Sequence, residues 1–151
     1  MLPHSCNKSG AGKTVLLVDD EEKFRASTAM RLRMRGYMTL EAGNKEEAVR
    51  ALETRSEIRI AVLDHRMQGG DAQRVLAEMK KRRPGVPAIL LTGLSRLDPV
   101  LDSCRHEFSA VLEKPCDLER LIRAIEDALR SQDAERDEFR IPPESRRGDG
   151  K

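Results

Sequence analysis

Five short apolar runs separated by stretches of helical periodicity limit what this chain can fold into more than any other feature. The runs are TVLLV at 14–18, YMTLEA at 37–42, IRIAVL at 58–63, AILL at 88–91 and AVLE at 110–113. Strands alternating with helices build a parallel sheet with helices against it, an α/β fold. The third run is apolar at nearly every position, as suits a strand covered on both faces. The expected strands are 14–19, 37–42, 58–63, 87–91 and 109–113.

The intervening segments carry helix signals. The first helix is expected over 21–35, with Phe24, Thr28 and Leu32 in an apolar row, Met30 and Met34 beside it, and Gly36 as the stop. Asn44 is placed to cap the second helix, with Glu47 three residues on, as in a capping box. The third helix is expected over 72–82, ending before Pro84, and the fourth over 95–106. The fifth begins after Pro115 and sets Leu118, Leu121, Ile122, Ile125 and Leu129 on one face.

Polar residues stand at the carboxyl ends of four of these runs: Asp19 and Asp20, then Asp64, Thr92 and Lys114. The carboxyl ends of the strands of an open parallel sheet all face one crevice, so these residues are expected to meet there. Two carboxylates about 4 Å apart repel by roughly 4 kcal/mol at an effective dielectric of 20, and three therefore need cations beside them. Mg²⁺ suits such a set, because it takes one or two carboxylates with waters and phosphate oxygens. Lys114 supplies a second, fixed positive charge. Three carboxylates, a hydroxyl and an ammonium together make a site for a divalent cation and a phosphoryl group.

With 151 residues the chain has room for one domain and a tail. The division expected is a flexible segment at 1–12, a domain at 13–131, and a polar tail or truncated linker at 132–151. In that tail the periodicity decays into mixed charge with Pro142-Pro143, which reads as a frayed helix end and then disorder. Lys plus Arg (28) nearly balance Asp plus Glu (26), so a net charge of +2 gives no general attraction to nucleic acid or membrane. No apolar run approaches the roughly 18–20 residues of a membrane span, and the N-terminus lacks the apolar core of a signal peptide. A cytoplasmic location is expected, with Cys6, Cys104 and Cys116 as reduced thiols.

The motifs VLLVDDEE, AVLDHRM, LLTG and LEKP, in that order on alternating elements, resemble the landmarks of the receiver domain of two-component response regulators. The resemblance covers about residues 13–131. It implies a flavodoxin-like (βα)5 doubly wound sheet of strand order 2-1-3-4-5 in a single domain. By the same resemblance Asp64 is the phosphoacceptor, taking a phosphoryl group from a sensor histidine kinase or histidine phosphotransfer protein. Asp20, Asp64 and the backbone carbonyl of Arg66 would ligate Mg²⁺, with Asp19 acting through water. Lys114 and Thr92 would meet the phosphoryl oxygens, and the Lys114–Pro115 bond would be cis. Such a protein is a switch rather than an enzyme. It would signal to a downstream protein through the face of the fourth helix, fifth strand and fifth helix. Two alternatives stay open: a receiver module cut from a larger DNA-binding regulator or hybrid kinase, and a phosphorylation-independent docking domain.

The sequence departs from the family pattern where the signal should leave. The aromatic residue usual three positions before the lysine is Val111; Phe108 and Tyr37 are the nearby aromatics, but neither matches the motif position. Gln68 stands where a proline is usual, and Ala72 where a glycine is. Arg66 has two readings, a modulator of water access or a solvated side chain that contributes only its carbonyl. GAGKT at 10–14 resembles the end of a phosphate-binding P-loop, but the required earlier glycine is Asn7 and the segment precedes a strand instead of following one. His65 is expected to point away from Asp64 and to serve as a surface or kinase contact. His4 and His106 have no suitable partners nearby in sequence. Cys116, near a helix start, has a lowered-pKa reading, with a small packed thiol as the plainer one.

Overall fold

In the computed structural model, which describes residues 12–65, 72–93 and 105–139, the five strands form one parallel sheet of order β2-β1-β3-β4-β5. They are β1 (Thr14–Val18), β2 (Met38–Ala42), β3 (Ile58–Asp64), β4 (Ala88–Thr92) and β5 (Ala110–Glu113). Helices α1 (Glu22–Met34), α2 (Lys45–Thr54) and α3 (Ala72–Arg82) follow the first three strands, and a C-terminal helix (Leu118–Phe139) follows the last. This is the doubly wound order expected from the resemblance. The fourth helix expected over 95–106 falls mostly outside the described residues; a short 3-10 turn occupies Arg105–Glu107.

Side chains alternate across a strand, and the central strands use that period of two to feed two cores. Leu16, Val18, Ala61, Leu63 and Leu90 pack with Ala48 and Leu52 of α2 and Val75, Leu76 and Met79 of α3. Val15, Leu17, Ile60, Val62, Ile89 and Leu91 pack with Ala29 and Leu32 of α1 and Leu121, Ile122, Ile125 and Leu129 of the C-terminal helix. Each buried Val, Leu, Ile or Met side chain among these contributes roughly 1.5–3 kcal/mol through removal from water. β1, β3 and β4 can be almost wholly apolar because both of their faces are covered.

Local signals set the helix ends. Gly36, at φ +94, lets the chain leave α1 through a left-handed residue, with Gly36 N–H on Arg33 O (3.0 Å) and Tyr37 N–H on Leu32 O (3.1 Å). Asn44 caps α2, accepting the Glu47 N–H at 2.8 Å, while Glu47 Oε1 accepts from Gly43 N–H at 2.7 Å. The box therefore closes on the residue before the cap. Ala72 opens α3 as an ordinary helical residue, and among the described residues only glycines have positive φ. No glycine is required at position 72.

Met30 and Met34, expected beside the apolar row of α1, are 57% and 74% exposed, and Ala29 and Leu32 are the residues of α1 that turn fully inward. One expectation needs correction. The C-terminal helix does not fray at 131 but continues to Phe139. Gln132 is buried there and donates to Gly85 O at 2.7 Å, and Arg59 meets Asp133 at 3.0 Å. Those anchors are polar, so apolar periodicity does not register them.

Candidate functional site

The chain runs to opposite sides of β1 after β1 and after β2, and the crevice at that reversal is where a doubly wound sheet binds ligands. β1 delivers the acidic pair to it. Asp19 N–H donates to Ala42 O (3.0 Å), extending the β1–β2 ladder one step past the strand, and Asp19 O accepts from Arg25 Nη1 (2.8 Å). Asp19 Oδ1 accepts the Glu21 N–H at the mouth of α1 (2.9 Å), so this carboxylate also serves the helix start. Asp19 is buried and Asp20, its neighbour, is exposed.

β3 ends on Asp64, in register with Leu91 of β4. Lys114 follows β5; its N–H donates to Thr92 O at 2.7 Å, and its bond to Pro115 is cis, as expected. Its ammonium donates to Asp64 Oδ1 at 2.7 Å and to Asp19 Oδ2 at 3.3 Å, and stands 4.5 Å from the centre of the Phe24 ring. One oxygen from each of Asp19, Asp20 and Asp64 lies within 4.8 Å of the others. Four residues from three strand ends thus converge as the strand pattern requires. The donors are all hard carboxylate oxygens carrying three charges against one lysine, a set that fits a hard divalent cation such as Mg²⁺.

The electrostatics follow from burial and crowding. Burial pushes the Asp64 carboxyl above its ordinary pKa; the Lys114 hydrogen bond opposes this and the Asp19 charge adds to it. For Lys114, burial favours the neutral amine, but the hydrogen bond and charge of Asp64, with Asp19 behind it, prevail and raise its pKa. Lys114 is therefore charged across the physiological range. Burial also raises the Cys116 thiol, which favours the packed-thiol reading over the activated one.

Thr92 is fully buried, and its hydroxyl lies 3.2 Å from Nδ1 of His65. The surface or kinase-contact role expected of His65 is therefore wrong: the side chain is only 8% exposed and turns to Thr92 of β4. Its N–H pairs with Leu91 O at 2.9 Å, continuing the β3–β4 ladder past Asp64 and fixing the residue against the neighbouring strand. Sequence reasoning also missed Arg25 and the approach of Phe24 to Lys114; neither carries a motif signal, since both depend on where α1 lies.

Neither nearby aromatic takes up the role that Val111 leaves open. Phe108 is buried in the core on the α2 and α3 side, where Val111 packs as well. Tyr37 is buried on the other side, with its hydroxyl bonded to Glu126. Lys13, the lysine of the P-loop-like segment, pairs with Glu126 at 3.2 Å at the start of β1, away from the crevice. His106 is exposed. Arg66, Gln68, His4, Cys6 and Cys104 lie outside the described residues.

The model of the response regulator receiver domain matches residues 15–126, so the chain belongs to the receiver family of two-component signalling. It is 32% identical over 115 residues to the transcriptional regulatory protein GlrR of Escherichia coli K12, an alignment that takes in 76% of this chain and 26% of GlrR. The chain thus spans about a quarter of that regulator. Among solved structures, a CheY-like receiver domain protein from Methanospirillum hungatei is similar over 82% of this chain and 98% of its own, with 27% identity and a TM-score of 0.73. The response regulator TrrA of Thermotoga maritima, solved in complex with Mg²⁺ and BeF, is similar over 78% and 99%, with 27% identity and a TM-score of 0.67. No described helix is long and apolar enough to cross a membrane.

Proposed function

We propose that the protein is a phosphoacceptor switch of the cytoplasm, not an enzyme, in which Asp64 receives a phosphoryl group from a sensor histidine kinase or histidine phosphotransfer protein. The observation that carries this is the 2.7 Å contact of the Lys114 ammonium with Asp64, inside a cluster that also holds Asp19 and Asp20. Asp20, Asp64 and the Arg66 carbonyl would hold Mg²⁺, with Asp19 reached through water. The ion, when bound, offsets the carboxylate charge and draws negative charge from the phosphoryl oxygens.

One Asp64 oxygen attacks phosphorus, an O–P bond forms, and the N–P bond of the donor breaks with its electron pair left on the imidazole nitrogen. Lys114 orients Asp64 before transfer and meets the oxygens that gain charge during it. Its raised pKa keeps it able to do so. Thr92 donates its hydroxyl to a phosphoryl oxygen afterwards. The resulting shift in population would alter the face of the fourth helix, β5 and the C-terminal helix for a downstream protein. Residues 13–131 would be the receiver, with 1–12 and 132–151 flanking it. GlrR, which this chain matches over only a quarter of its length, favours a second reading in which the same receiver serves a larger regulator.

Incubation with acetyl phosphate and Mg²⁺ tests the assignment by intact mass. One added phosphoryl group is expected in the wild type and none in Asp64→Asn. No adduct, or one that persists in Asp64→Asn, rejects the switch and leaves a docking domain.

A further inference from the structure

Two buried polar side chains meet directly behind the phosphoacceptor. His65 follows Asp64, Thr92 closes the next strand, and imidazole Nδ1 lies 3.2 Å from the threonine hydroxyl. A buried polar group left unsatisfied is costly, so the contact helps to make an imidazole tolerable at this depth. The backbone keeps the two together. His65 N–H holds Leu91 O, one residue before Thr92, and Lys114 N–H holds Thr92 O.

A threonine hydroxyl has a single proton to give, and a neutral imidazole protonated on Nε2 presents Nδ1 as an acceptor. We propose that His65 is a positioning residue for Thr92: Nδ1 accepts the threonine proton in the unphosphorylated protein, and the phosphoryl oxygens on Asp64 compete for that proton. The inference rests on Asp64 being the phosphoacceptor. Val111 has no polar group with which to couple to Thr92, and the contact with His65 lies on the β3 side of the threonine. The backbone carbonyl of His65 receives the Ala72 N–H at 3.3 Å, so a displacement of His65 reaches the first residue of α3.

The test uses the full chain labelled with ¹⁵N-histidine, free and with Mg²⁺ plus beryllofluoride as the phosphoryl analogue. In the free protein the His65 Nδ1 resonance is expected to differ between wild type and Thr92→Val. Beryllofluoride is expected to move it in the wild type and not in Thr92→Val. His65→Leu removes the competitor and is expected to bind beryllofluoride several-fold more tightly. His65→Asn, whose amide oxygen reaches the place of Nδ1, is expected to restore wild-type affinity and keeps a polar group if the leucine variant folds poorly. An Nδ1 resonance indifferent to Thr92→Val, or equal affinity in all three proteins, overturns the inference. If acetyl phosphate gives no adduct in the wild type, the phosphoacceptor assignment fails and takes this one with it. An adduct accompanied by a silent His65 removes the histidine role alone.

Discussion

The two halves of the crevice are built differently. On the β1 side, Asp19, Asp20, Asp64 and Lys114 form a charged cluster in which a single lysine ties two strand ends. On the β4 side, Thr92 and His65 form a buried polar pair, hydroxyl against imidazole Nδ1 at 3.2 Å. On the proposed function the first half would attract an ion and a phosphoryl group and organise their charge. On the further inference the second would register, through the His65–Thr92 contact, that the group has arrived. Chemistry and read-out would then be separable, and mutations should separate them.

The largest effect is expected from Lys114→Met, which leaves Asp19 and Asp64 facing each other without their shared cation. Phosphoryl transfer from acetyl phosphate should slow by about 10²–10³-fold, the cost of losing one preorganised charge at a reacting centre. The His65 Nδ1 signal of the free protein should stay in place. Movement of that signal would show that the halves are one unit. Thr92→Ala should do the reverse: adduct still forms, with a rate or lifetime changed by about ten- to a hundredfold, one charge-assisted hydrogen bond. A loss as deep as that of Lys114→Met would erase the division.

Acidity provides a gentler probe. The folded-state pKa of Asp64 lies above its unfolded value of about 3.9, because burial and the Asp19 charge disfavour the carboxylate. The associated stability is complete below that unfolded value and is lost as pH rises through the raised one. In Mg²⁺-free buffer, the denaturation free energy of wild type minus that of Asp64→Asn should fall across this window. A flat difference would mean that Lys114 compensates Asp64 fully. The smallest effect is expected from Phe24→Leu, which removes the ring beneath the Lys114 ammonium. Urea denaturation should report a loss of about 0.5–1 kcal/mol, with the phosphoryl adduct still formed.

The charged half was legible in the sequence, and the reason is geometric. A residue at the carboxyl end of a parallel strand has its location decided by the strand alone, so Asp19, Asp20, Asp64 and Lys114 were placed by counting along apolar runs. The sheet order was carried over with the family resemblance, since periodicity names elements without ordering them. His65 was misjudged because alternation along β3 says which way a side chain leaves the strand, but not what covers it there. Gln132 was missed for a related reason: its amide docks on Gly85 O, a backbone group that no side-chain pattern reveals. Phe24 and Arg25 reach the site only through the placement of α1.

The C-terminal helix starts four residues after Lys114 and is pinned near its far end to Gly85 and Arg59, at the amino ends of β4 and β3. At 1.5 Å per residue its 22 residues form a rod of about 33 Å. Held by its apolar face along the way and by Gln132 and Asp133 beyond it, the rod joins the lysine's end of the sheet to the opposite edge as one packed piece.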